Sequence, residues 1–347
     1  MKHYVGLDVS LKEVSICVVD GDGSLIAEGK VATEPALILS WISESIGAVE
    51  RIVHESGPLS IWLTRELAAL GAPVVCIDAR AAHKVLSARM NKSDRADAEA
   101  LAQLARRGWY RAVHIKSEAS DRLRLLLGAR DRLIGIRQDI EGHARGVLKT
   151  YGIRLGPITQ GRNRAGFREQ LRAAASGDPI IEAVAASLIT VHEVACAEAA
   201  MIDDELLSIA RDSDLAQRLM TVPGVGPIVA LSFIATVDDA SRFAKATDVG
   251  AYLGLTPRRY QSGEIDYSGR ISKRGDGTMR KLLYEAASVL ITRVRRFSPL
   301  KSWAVRLAAR KGFKKAAVAA ARKIAVIMLR LWRDGTCFVW TKEGMPA

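Results

Sequence analysis

Aromatic residues are scarce in this chain, 5% of 347 residues, and its six Trp are scattered. They form no aromatic ladder of the kind that stacks the bases of a single strand. The four Cys (Cys17, Cys76, Cys196, Cys337) lie far apart, with neither disulfide-framework nor zinc-ligand spacing, so a reducing compartment is expected. The six His form no ligand-spaced pair. No apolar run approaches the length of a membrane span, and the N-terminus MKHYVGLDVS has no basic region followed by an apolar stretch. The expectation is a cytoplasmic protein, neither secreted nor membrane-spanning. A PGVG turn at 223–226 lacks the Lys-Ser/Thr of a P-loop, which argues against nucleotide hydrolysis.

Hydrophobic residues at 49% and charged residues at 26% are ordinary for a globular chain, and the length suits two or three domains at about 150 residues each. The net charge of +13 is unevenly placed. Residues 1–80 hold 6 Lys and Arg against 11 Asp and Glu, whereas residues 241–347 hold 23 against 7. Residues 81–150 are also basic, 15 against 8, and residues 151–240 acidic, 7 against 12. An excess of this size in the last third exceeds what a mixed surface kept for solubility carries, and it points to a polyanion partner.

Short runs at 3–9, 13–20 and 24–31 read as strands, with a hairpin signal at GDGS 21–24. A helical period follows over 34–48, then strands at 51–54 and 73–77 around a helix that opens at Pro58. Ser93 caps a further helix running to about Arg107. This order predicts an α/β layer with a mixed sheet over residues 1–112. In the middle, Leu126, Leu133, Ile140 and Val147 recur every seven residues, as do Ile181, Leu188, Ala195, Ile202 and Ile209. That period predicts a coiled-coil-like hairpin or dimer arm, or else an intramolecular bundle, over 113–215, with 151–166 as its connecting loop. Residues 216–347 read as mainly helical, except that 256–275 shows little helical period and reads as a basic, Gly-punctuated loop.

Four carboxylates occupy telling positions. Asp8 ends the first strand, Glu55 follows the fourth, and Asp94 and Asp97 share one face of a helix. The first and fourth strands are expected side by side, which makes Asp8 and Glu55 neighbours. Converging carboxylates repel one another unless a cation sits among them. Oxygen donors without His or Cys select Mg²⁺ or Mn²⁺, and a pair of such ions clamps a phosphodiester from both sides. Gly224 and Gly226 expose backbone N–H groups at a helix start, a helix-hairpin-helix-like contact for a nucleic acid backbone. Arg258, Arg259, Arg270, Lys273, Arg274 and Arg280 surround a loop whose hydroxyls, Ser262, Ser268, Ser272 and Tyr260, are all candidate nucleophiles at phosphate.

The segments GLDVS (6–10), HESG (54–57) and MNKSDRADAEALAQLAR (90–106) resemble the DEDD-type bacterial insertion-sequence transposases. This is the insertion-sequence family numbered one hundred and ten, related to the Piv pilin invertases. TVPGVGPIVA (221–230), FAKATDVGAYLGLTPRRYQSG (243–263) and GRISKRGDGTMRKLLYEAA (269–287) resemble the C-terminal transposase domain of that family. The resemblance implies a RuvC-like, ribonuclease-H-type N-terminal domain with Asp8, Glu55, Asp94 and Asp97 as a metal tetrad. It also implies Ser262 in QSG as the nucleophile of a site-specific recombinase guided by an element-encoded RNA. Double-stranded donor and target DNA and a homo-oligomer, dimer or tetramer, follow from strand exchange. The rival readings are a metal-dependent Holliday-junction-type nuclease using water, and a non-catalytic architectural protein that binds nucleic acid.

Overall fold

The computed structural model describes residues 2–86, 93–156 and 163–340, which fall into two compact units divided at Lys116 and Ser117. In the first unit, β1 (His3–Val9), β2 (Glu13–Val19) and β3 (Leu25–Ala32) form an antiparallel meander. They are followed by α1 (Pro35–Ser45), β4 (Val49–Glu55), α2 (Ser60–Ala69), β5 (Val74–Ile77), α3 (Ala79–Leu86) and α4 (Asp94–Arg107). The sheet order is β3-β2-β1-β4-β5, with β4 and β5 parallel to β1.

Alternation along the strands separates the two faces of this sheet. Val5, Leu7, Val14, Ile16, Val18 and Ile52 pack against Ile38 and Ile42 of α1 and Leu63 and Leu67 of α2. Tyr4, Cys17, Val19 and Val53 face Ala98, Leu101, Ala102 and Ala105 of α4. The approach of α4 is set by Gly6, where a Cβ would lie 2.1 Å from the Ala98 carbonyl oxygen and 2.3 Å from the Ala102 nitrogen. Gly6→Ala is therefore expected to push α4 off the sheet and to lower stability by about 1–3 kcal/mol, the usual cost of overpacking. Gly21→Ala, which meets nothing within 4 Å, is the control. Chemical denaturation giving equal midpoints for the two variants would contradict this packing.

In the second unit, α5 (Glu118–Leu148), α6 (Asn163–Ala175) and α7 (Pro179–Asp212) precede a compact C-terminal bundle. Helices of 31 and 34 residues, α5 and α7 extend about 46 and 51 Å. They run antiparallel, as the pairs Arg130–Asp203 and Glu141–His192 show. The helical pair is thus an intramolecular hairpin, capped at its far end by Phe167 and Leu171 of α6. Its buried line differs from the heptads expected. Leu126, Leu133 and Ile140 are half-buried and Val147 is exposed, whereas Arg137 and Glu141 are buried on α5 and His192 on α7; of the α7 heptad, Ala195 is buried as expected. Burial holds the His192 imidazole below its usual pKa against the opposing pull of Glu141. Part of the expected 151–166 loop is helix α6, and residues 157–162 lie outside the described residues. By length and apolar composition α7 is the one helix, among the described residues, that would suffice to cross a membrane.

The C-terminal bundle comprises α8 (Asp214–Met220), α9 (Pro227–Val237), α10 (Asp248–Tyr252), the hairpin β6 (Pro257–Ser262) and β7 (Ile265–Ile271), α11 (Gly277–Thr292), α12 (Pro299–Lys311) and α13 (Phe313–Asp334). Helix α9 (PIVALSFIATV) is almost wholly apolar and shares one core with Leu283 and Leu290 of α11 and Ile324 and Met328 of α13. The stretch 256–275 is mostly strand, contrary to the irregular loop expected. Its residues are exposed on both faces, so they carry no apolar alternation that would mark them as strands.

Candidate active site

The four carboxylates come from three elements that meet at one end of the first unit. Leu7 lies opposite His54 in the parallel β1–β4 register, so Asp8 and Glu55 follow side by side at the carboxyl ends of these strands. By alternation Asp8 shares the face of Gly6, and Glu55 that of Val53, which is the face α4 covers. Helix α4 runs against the strand direction. Near its C-terminus the Ala105 carbonyl accepts from Arg51, the register partner of Tyr4, while Ala98 stands over Gly6. The first turn, with Asp94 and Asp97, therefore lies toward Asp8 and Glu55. Ser93 starts that turn by accepting from the Ala96 N–H, and Gly108 in left-handed conformation (φ 66°) ends the helix.

A charge that the sequence did not reveal also stands at this end. Lys30 pairs across β2 with Ser15, which pairs with Asp8, and its Nζ lies 3.0 Å from Glu13 and 3.7 Å from Asp94. Glu13, and more weakly Asp94, raise the Lys30 pKa above its usual value. The Asp94 side chain is 70% exposed and Asp97 is half-buried. Among the described residues, no three His, Cys, Asp or Glu side chains stand close enough together to hold a metal ion. In chemical type and in position on one edge, the four carboxylates suit a hard divalent cation. Residues 90–92 of the motif that carries Asp94 and Asp97 lie outside the described residues.

His54 adjoins Glu55 in sequence but points to the opposite face, where its Nε2 is 2.8 Å from the Thr64 hydroxyl and its Nδ1 3.0 Å from the Glu55 carbonyl oxygen. Burial lowers its pKa, and the Thr64 hydroxyl beside Nε2 donates its hydrogen to the Ser60 carbonyl oxygen at 2.6 Å. It is a structural histidine that ties β4 to α2.

In the second unit, Ser262 ends β6 at the tip of the hairpin, paired with Ile265 across the two-residue turn Gly263–Glu264. The base of the hairpin is anchored. Ser272 N–H donates to the Thr256 carbonyl at 2.8 Å, and the Arg280 guanidinium donates to the carbonyls of Leu253, Arg274 and Gly275. Arg280 thus clamps the hairpin base to α11. Arg259 forms a bidentate pair with Asp266, which raises the Arg259 pKa and lowers that of Asp266, and Arg258 donates to the Ser272 carbonyl. Arg270, Lys273 and Arg274 are exposed around this base. Gly224 (φ +87°) has a packing role: a Cβ there would lie 2.3 Å from the Ala286 carbonyl oxygen of α11. Gly226 is the N-cap residue of α9, with open space beside it.

Two family models match the chain. Residues 5–153 match a model of DEDD transposases of IS110 elements, described as Transposase, and residues 216–301 match the "Transposase IS116/IS110/IS902 family". The "Transposase for insertion sequence element IS1111A" of Coxiella burnetii is 30% identical over 335 residues, covering 94% of this chain and 88% of that protein. The "Probable family 20 transposase" of Pseudomonas aeruginosa is 31% identical over 72% of this chain and 74% of its own length. The "Transposase for insertion sequence element IS1328" of Yersinia enterocolitica is 28% identical, covering 83% and 85%.

Proposed function

Since the chain belongs to the IS116/IS110/IS902 family of transposases, and so acts on DNA, we propose that it is an RNA-guided, site-specific recombinase with a serine nucleophile and a carboxylate metal site. The observation that supports this reading is the placement of Asp8, Glu55 and the first turn of α4, which carries Asp94 and Asp97, toward one end and one face of a β3-β2-β1-β4-β5 sheet. In this proposal residues 1–112 are a RuvC-like domain, 113–215 an arm, and 216–347 the domain that carries the serine. Double-stranded donor and target DNA are the substrates, met in the cytoplasm at the nucleoid, and the guide is an RNA from the element itself. The basic 241–347 segment supports polyanion binding.

The four carboxylates would hold Mg²⁺ or Mn²⁺, which supplies positive charge for a phosphodiester and its leaving oxygen. The Ser262 hydroxyl, at the exposed tip of a hairpin whose base carries Arg270, Lys273 and Arg274, attacks phosphorus. A phosphorus–serine bond forms, the bond to the 3′ oxygen breaks, and that oxygen leaves as a 3′-hydroxyl carrying a proton. The 3′-hydroxyl of the exchanged strand then attacks the phosphoserine, and Ser262 regains its proton. The experiment is chelation. It should abolish cleavage of labelled DNA, with Mg²⁺ or Mn²⁺ restoring it, while DNA and RNA binding persists and weakens steeply with salt. Equal loss of binding and cleavage would overturn the separation of roles.

Strand exchange between two DNAs needs more than one copy of the chain, and α7 offers a surface for a second. Ile180, Val184, Val191, Val194 and Met201 are all at least 45% exposed. With Ser187 and Glu198 they follow an alternating four-three spacing along one stripe, a seam of coiled-coil type. Joint substitution Val191→Glu and Val194→Glu is expected to convert the oligomer to monomer in sedimentation. An unchanged mass would remove α7 from the interface.

A further inference from the structure

The β6–β7 hairpin brings together two aromatic side chains that lie seven positions apart in the sequence. Tyr260 and Tyr267 are direct cross-strand partners, and their rings stack with centroids 4.9 Å apart and an interplanar angle of 19°. Neither belongs to a core cluster, and they remain 44% and 55% exposed. By alternation Ser262 and Ile265, themselves a cross-strand pair, share the tyrosines' face of the ribbon, and Ile265 is 60% exposed. Arg259, Gln261, Asp266 and Ser268 fall on the other face, where the Arg259–Asp266 pair holds the register. One face of the ribbon is therefore aromatic, apolar and open, and ends in the candidate nucleophile.

A stacked pair that served only to stiffen the hairpin would contribute about 0.2–1 kcal/mol. The apolar face is larger than that role requires, and its surroundings are cationic, with Arg270, Lys273 and Arg274 exposed at the base. An exposed aromatic face with cations toward its base suits a nucleic acid base, whose own π-face stacks on it while phosphates on that side meet the cations. Two residues along a strand span about 6.7 Å. A base stacked at Tyr260 would thus set its flanking phosphate beside Ser262, one nucleotide away.

We propose that the Tyr260–Tyr267 pair is a stacking platform for an unpaired base next to the phosphodiester that Ser262 attacks. The proposal rests on the assignment of Ser262 as nucleophile, and it adds that the substrate is locally unpaired when it reaches the hairpin. The platform binds one base and fixes one phosphate, and it is tolerant of sequence because every base offers a π-face.

The test uses the full chain and two DNA probes that carry 2-aminopurine, one with the fluorescent base in an unpaired gap and one with it paired inside a duplex. Wild type is expected to quench the unpaired base and to bind that probe more tightly. Tyr260→Phe with Tyr267→Phe should retain both properties. Tyr260→Leu with Tyr267→Leu keeps apolar bulk and should abolish the quenching. It should weaken binding to the gapped probe about tenfold to a hundredfold, with duplex binding and its salt dependence unchanged. Both tyrosines lie on an exposed ribbon, so the bundle core is untouched, and the single variant Tyr267→Leu serves as a second measure of the same loss. Ser262→Ala should quench like wild type. If the leucine variants quench and bind as wild type does while wild type still cleaves DNA, the platform is wrong and the function stands. If wild type binds neither probe, the platform and the recombinase reading fall together.

Discussion

Asp8→Asn is expected to lower strand cleavage by at least about a hundredfold, the scale on which a transition state loses one preorganised electrostatic contact. The substitution removes a charge and keeps the shape of the side chain. Asp8 ends β1 on the face covered by α4, so the sheet register and the packing at Gly6 need not change. Binding of DNA and RNA should hold, because the basic residues are concentrated in 241–347. Asp94→Asn should cost cleavage in the same way. It would also release Lys30 from one partner, a small effect at an exposed pair. Wild-type cleavage by both variants would leave an architectural nucleic-acid-binding protein as the better reading.

Ser262→Ala is expected to reduce strand transfer by three orders of magnitude or more, since about 10⁶ is lost when a hydrolase loses its nucleophile. The lost oxygen sits at an exposed hairpin tip, so the unfolding transition should not move beyond about 0.5 kcal/mol. Wild-type rates of DNA cleavage by Ser262→Ala would instead indicate water as the nucleophile, as in a Holliday-junction nuclease.

The carboxylate end was legible because its elements follow simple rules. Strands β1 and β4 have apolar interiors, their order places them side by side, and Ser93 and Gly108 bracket α4 with recognisable caps. Which face each carboxylate takes was not legible. It depends on the contact of Gly6 with Ala98 and on Lys30, and both follow from register and packing between elements far apart in the chain. The hairpin that carries Ser262 was hidden for the opposite reason: with both faces in water, its residues show no period of two, and only the pairing brings Tyr260 to Tyr267. In the helical arm, a search for apolar heptads passed over Arg137, Glu141 and His192. Glu141 pairs with both Arg137 and His192, and all three are buried on the line where Leu or Ile would be sought. Helix α6, Ala- and Arg-rich and next to a Gly-rich stretch, was masked by its neighbours.

The most direct test of the account is to trap the protein on labelled DNA with guide RNA and Mg²⁺, denature it, and map any covalently attached nucleotide by peptide mass spectrometry. The account predicts a phosphoserine linkage at Ser262, absent from Ser262→Ala and absent when Asp8 is replaced by asparagine. Attachment at Ser268, Ser272 or Tyr260, or cleavage that never leaves DNA on the protein, would contradict it.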